Sequence, residues 1–181
     1  AFRGAATGVG LGAGLFLRPQ HFQRQDLYHE TRLIELGRAV HPYLWGIRNL
    51  KFDIEALSAG ILRLTEISAI LPDGESISAP NNDELPAPIN LGGINGLSDG
   101  IVFHIALPYL RNFSPNHSTQ HEQSGHACRY HKYEEAAPDL YTNAIESELS
   151  VLRKSLRLLS DHDNREQYVS IPVARVRATS S

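Results

Sequence analysis

Residues 49–57 read NLKFDIEAL. Leu50, Phe52 and Ile54 alternate with Lys51, Asp53 and Glu55, which puts apolar groups on one face and charges on the other. That alternation predicts a half-buried β-strand over 50–57, and it marks a change of period. Upstream, residues 20–39 carry good helix formers, and Phe22, Leu33, Leu36 and Val40 fall on or near one helical stripe, completed less cleanly by Gln25 and His29. Pro19 suits the first helical turn, where its missing N–H is no loss. His41-Pro42 ends the helix, because the residue before a proline avoids the α region.

Downstream the period stays at two. GILRLTEISAILPDG, 60–74, is a second strand whose apolar parity shifts between Leu64 and Ile67, predicting a bulge. Its closing PDG is a turn: Pro72 presets φ, while Asp73 and Gly74 tolerate turn geometry. Residues 80–100 hold three prolines and four glycines and read mostly as loop. GIVFHIALPYL, 100–110, is a strand with Ile101, Phe103, Ile105 and Leu107 on one face. Residues 112–127 are polar and His-rich, a long loop, and CRYHKYEEA, 128–136, reads as a strand. ELSVLRKSLRLLS, 148–160, is ambiguous: Leu149, Leu152, Leu156 and Leu159 fit a helix, Leu156 and Leu158 a strand. YVSIPVARV, 168–176, is a strand near a sheet edge, since Pro172 cannot donate to a ladder. One helix followed by short strands and turns predicts a mainly β fold, an antiparallel β-sandwich with an N-terminal α-helix, rather than a doubly wound sheet.

The 181 residues suffice for one domain with a real core. A net charge of −3 and the absence of any basic run exclude a generic nucleic-acid binder, which needs clustered Lys and Arg. The apolar stretches are too short to span a bilayer, and no signal-peptide core is present. A single cysteine, Cys128, excludes an internal disulfide framework and fits a reducing compartment. No Met occurs, even at position 1, and the chain closes on the small polar run RATSS, so a piece of a longer protein is expected.

Chemistry is sparse. Gly8-x-Gly10-x-x-Ala13 matches the dinucleotide fingerprint permissively but lacks the apolar strand that should precede it. His117, His121, His126 and His131 cluster with Cys128, yet their spacing fits no standard zinc site and a solvated loop explains them better. Asp26 and Glu30 share a helix face and read as its exposed side. No catalytic set, metal or cofactor is therefore expected. What stands out is GLFLRPQHFQRQDLYHE, 14–30: Phe16, Leu17, Phe22, Leu27 and Tyr28 are too many large groups for one narrow stripe. A helix wedged on the sandwich buries about half of them, and the rest need a second surface.

That same stretch closely resembles the N-terminal signature of the TssK (ImpJ/VasE) family, the baseplate subunits of bacterial type VI secretion systems. Further similarities follow in order: PYLWGI at 42–47, the strand at 50–57, LPDG at 71–74 with Pro80 after it, ALP at 106–108, RY at 129–130 and IPVARV at 171–176. Leu11, Gly12 and Ala13 stand where the family carries a Trp and an acidic residue. The resemblance implies a shoulder domain over 14–176, preceded by a flexible lead-in at 1–13 and followed by the start of a linker at 177–181. It implies a β-sandwich like the shoulder of siphophage receptor-binding proteins. It further implies a cytoplasmic, non-catalytic adaptor that forms trimers in the full-length protein and binds the baseplate wedge subunits TssF and TssG with TssE. The membrane complex would be reached only through a C-terminal part, with no membrane insertion here. The expected partner-facing or trimer-facing element is Phe16, Leu17, Arg18, Pro19, Gln20, His21 and Phe22, with the aromatics supplying buried area and Arg18 a forked donor. Two other readings make different demands. A carbohydrate-binding module would line a groove with Trp45, Tyr109 and Tyr130, and a metal-dependent enzyme would use the His117–His131 region.

Overall fold

Pro19 and His41 bracket the first element as the sequence predicts. In the computed structural model, which describes residues 16–111, 116–119, 127–137 and 147–178, helix α1 runs Pro19–Val40. Its first turn is closed by His21, whose Nδ1 accepts from the Arg18 N–H at 3.0 Å while its own N–H donates to the Arg18 carbonyl at 2.9 Å. At the other end the His41 N–H donates to the Gly37 carbonyl at 2.8 Å.

NLKFDIEAL then divides. Strand β1, Gly46–Phe52, keeps the first half of the alternation, but the expected strand over 50–57 stops there and helix α2, Ile54–Ser58, follows. The cause is Asp53, whose Oδ1 accepts the Ala56 N–H at 2.9 Å and so caps the helix. Period alone does not separate an Asp facing solvent from an Asp that caps. Ile54, the third apolar residue of the series, is left exposed.

Strands β2 (Ile61–Leu62), β3 (Leu64–Ile70), β4 (Ser76–Ala79) and β5 (Ile89–Asn90) come next. The first sheet has the order β1–β3–β4, all antiparallel. Lys51 pairs with Glu66 and Phe52 with Leu64, so Thr65 is skipped. This is the predicted bulge, and it explains how Leu64 and Ile67, three apart, are both buried. At the PDG turn the Gly74 N–H donates to the Leu71 carbonyl at 2.8 Å, with Gly74 at φ +90°. Residues 80–100 are mostly turns and loop around β5, as expected.

The rest of the described chain forms β6 (Ile101–Pro108), β7 (His117–Thr119), β8 (Tyr130–Ala137), β9 (Ser147–Lys154), β10 (Arg157–Ser160) and β11 (Tyr168–Val176). The ambiguous stretch 148–160 thus lies in two strands, not a helix. The second sheet, β10–β6–β11, is antiparallel, with β11 on its edge and a register shift just after Pro172. Ile101, Phe103, Ile105 and Leu107 of β6 are all buried, Phe103 with no exposed surface. They share one core with Leu64, Ile67 and Ile77 of the first sheet and with Leu158, Val169 and Ile171. A third sheet, β7–β8–β9, contains a parallel pair, β7–β8, which departs from an all-antiparallel arrangement. Among the described residues, none of that sheet and none of α1 belongs to the shared core.

Candidate partner interface

The first helix sits on the sandwich by its less apolar side. Thr31 is its one buried residue, bonding back to the Leu27 carbonyl at 2.7 Å. Arg38 Nη2 donates to the Pro72 carbonyl at 2.7 Å. Ile34 lies over Gly74 so closely that a Cβ there would come within 2.8 Å of Ile34 Cγ2. Gly37 likewise makes room for Leu44, whose Cδ2 would be 2.5 Å from an added Cβ. Gly74 and the long Arg38 donor bring the helix onto the 71–74 turn, and Leu27 and Tyr28 of the helix are half-buried.

The stripe of Phe22, Leu33, Leu36 and Val40 points the other way. Val40 is 86% exposed and Leu33 69%. Phe16 and Leu17 lead into the helix along extended backbone (Arg18 φ −120°, ψ 156°), with Phe16 89% exposed and Phe22 54%. Of the seven residues proposed from sequence, Phe16, Leu17, Arg18, Pro19, Gln20 and Phe22 are exposed. His21 is half-buried, and its Nδ1 is used in the cap rather than offered outward. Just past the helix, exposed Tyr43, Trp45 and Ile47 line a hollow of about 350 Å³ with Arg48 and Ile70. Apolar groups exposed in this number are what interaction surfaces present, which makes this the candidate interface.

The residues of the other two readings are scattered. Trp45 lines that hollow, whereas Tyr109 lines a separate one with Arg111, Glu166 and Gln167. Tyr130 lies beneath the Arg129 guanidinium, 5.9 Å from the ring centre. His117 is exposed and His131 is committed to Glu84, Nδ1 to Oε2 at 2.7 Å. His121 and His126 lie outside the described residues, and among the described residues no three His, Cys, Asp or Glu gather to hold a metal. No described helix is long and apolar enough to cross a membrane.

One feature that periodicity misses is Arg129, 1% exposed and, among the described residues, the largest side chain buried completely. Its Nη2 donates to Asp73 at 3.0 Å and to Glu75 at 2.7 Å, and its Nη1 to the Pro108 carbonyl at 2.6 Å. Burial works against the guanidinium charge. The Glu75 hydrogen bond and charge, then the charges of Tyr130 and Asp73, outweigh it and raise its pKa above the usual arginine value. A buried pair of this kind is costly to break, at about 3–5 kcal/mol when one partner is removed. The signal for it lay in the motifs LPDG, 71–74, and RY, 129–130, which contribute Asp73 and Arg129.

Comparison with known proteins accords with this architecture. Residues 21–181 match the family described as "Bacterial Type VI secretion, VC_A0110, EvfL, ImpJ, VasE". The chain is 34% identical over 164 residues to the type VI secretion system baseplate component TssK1 of Pseudomonas aeruginosa PAO1, covering 91% of this chain and 36% of that protein. It therefore spans about a third of the length of the curated relative it matches. Among solved structures it is similar to a chain of a TssK-TssF-TssG baseplate subcomplex seen by cryo-electron microscopy, with TM-score 0.84 and 27% identity, over 96% of this chain and 57% of that one. It is also similar to a crystal structure of TssK, with TM-score 0.82 and 29% identity, over 95% of this chain and 38% of that one.

Proposed function

This chain belongs to the bacterial type VI secretion family of ImpJ and VasE, and from that premise we propose that it is the shoulder of a TssK subunit, an adaptor that attaches TssK trimers to the baseplate wedge in the cytoplasm. The proposed partners are TssF and TssG, together with TssE. The remainder of the longer protein would connect this shoulder to the membrane complex. The role is mechanical, and no reaction is assigned to it.

The observation that carries this reading is the segment Phe16–Phe22. It offers two exposed phenylalanines and an exposed leucine at the start of a helix whose direction is set by the Arg18–His21 cap. Aromatic anchors of this kind carry a large share of binding energy when a partner buries them. Similarity to a chain of a TssK-TssF-TssG subcomplex supports the choice of partner. The test is capture of purified TssF–TssG by this chain and by its Phe16→Ala/Phe22→Ala variant. Capture should weaken by about tenfold or more, with an unchanged melting temperature, because neither ring is in the core. Undiminished capture, or a variant that no longer folds, moves the interface elsewhere.

A further inference from the structure

Among the described residues, sheet β7–β8–β9 buries no large apolar side chain completely, and Tyr130, Tyr133 and Val151 are only half-buried. Among its described side chains only Ser118 is buried, and Leu149 and Leu152 of β9 are exposed. Among the described residues, the hydrogen bonds and ion pairs that tie the sheet to the sandwich gather at its root, where β8 begins and β9 ends. Arg129, one residue before β8, reaches the end of β6 through the Pro108 carbonyl and the β3–β4 connection through Asp73 and Glu75. Lys154, the last residue of β9, places Nζ 3.5 Å from Glu75 and 3.4 Å from Asp83, and its N–H donates to Asp83 Oδ1 at 3.2 Å. Asp83, 3% exposed, also accepts the Ser78 N–H of β4 at 2.9 Å. Beside it Glu84 holds His131, and Glu84 and Ser155 form an isolated parallel bridge. The Ser155 N–H closes the root by donating to the Arg129 carbonyl at 2.9 Å.

We propose that this cluster is a latch at the root of a separable β-arm. Arg129 and Lys154 of the arm, clasped by Asp73, Glu75 and Asp83 of the sandwich, set the direction of β7–β8–β9, and the arm can come away while the sandwich stays folded. Apolar packing is not directional, whereas a guanidinium fork fixed by two carboxylates and a carbonyl admits one orientation. Removing one partner of a buried ion pair leaves the other charge uncompensated, so losing Arg129 weakens the latch by more than a single contact. A small sheet without a core of its own is marginal in water. Once unlatched, its amides therefore exchange.

Hydrogen exchange on this chain tests the proposal, comparing wild type with Arg129→Met and Arg129→Lys. In Arg129→Met, amides of Tyr130–Ala137 and 148–154 should exchange about tenfold faster or more, while those of β3 and β6 keep their protection. Arg129→Lys retains the charge without the fork, and it should show the same pattern more weakly. Protection lost equally in β6, or unchanged in the arm, overturns the proposal. If neither variant folds, arm and sandwich form one cooperative unit and there is no separable arm.

Discussion

Phe103 in β6 and Leu33 in α1 are both large apolar side chains on the apolar face of an amphipathic element. Phe103 has no exposed surface, and Leu33 is 69% exposed. Strand β6 has a hydrogen-bonded neighbour on each side, β10 and β11, and shares its core with the β1–β3–β4 sheet. Helix α1 touches the sandwich with Ile34 and Arg38 on the 71–74 turn, and that contact uses the side of the helix opposite Leu33 and Leu36. An apolar stripe records that something must cover it, at about 25 cal/mol for each Å² removed from water. It does not record whether the cover lies in the same chain.

The contrast can be broken most forcefully at Phe103. Phe103→Ala should lower stability by about 3–5 kcal/mol, through lost transfer energy and the cavity left behind. Urea unfolding reads this directly, and an unshifted midpoint would mean the β6 face is not the core. A smaller effect belongs at the seat of the helix. Gly74→Ala meets both a strained φ of +90° and Ile34, so it should destabilise by about 1–2 kcal/mol. The amides of α1 should lose more exchange protection than those of β6, and an equal loss would tie helix and sandwich into one unit. The smallest change is expected on the exposed stripe. Leu33→Ser with Leu36→Ser should leave the isolated chain within about 0.5 kcal/mol of wild type. A substantial drop in its melting temperature would show that the stripe is already covered within this chain.

The same contrast explains which elements could be read in advance. Residues 101–107, the bulge near Thr65, the PDG turn and the edge position of β11 are local consequences of side-chain type. Alternation, parity, preset φ and a missing N–H are all written in neighbouring residues. Ile54 and the stretch 148–160 escape a local reading for one reason: a competing partner decides them. Asp53 spent its carboxylate on a helix cap. Leu158 of β10 entered register with Ile105 of β6, a residue distant in the chain. For the candidate interface, the surplus of aromatics in 16–28 was legible, but its outward face was not. The Arg129 latch joins residues 54 and 56 apart, and no periodicity reports such a pairing.

By itself, then, the amino-acid sequence determined the period of most segments, the helix start at Pro19, the turn at Pro72–Gly74 and membership of the type VI secretion family. It also determined that residues 16–28 hold more large apolar groups than one helix face can hide. Tertiary structure alone decided which apolar faces meet, that α1 turns Leu33 and Leu36 outward, and that Arg129 can be buried because two carboxylates and a carbonyl wait for it. The physical reason is range. Backbone dihedrals and local hydrogen bonds are set by adjacent residues, whereas burial and charge pairing depend on groups that come together only when the whole chain has folded.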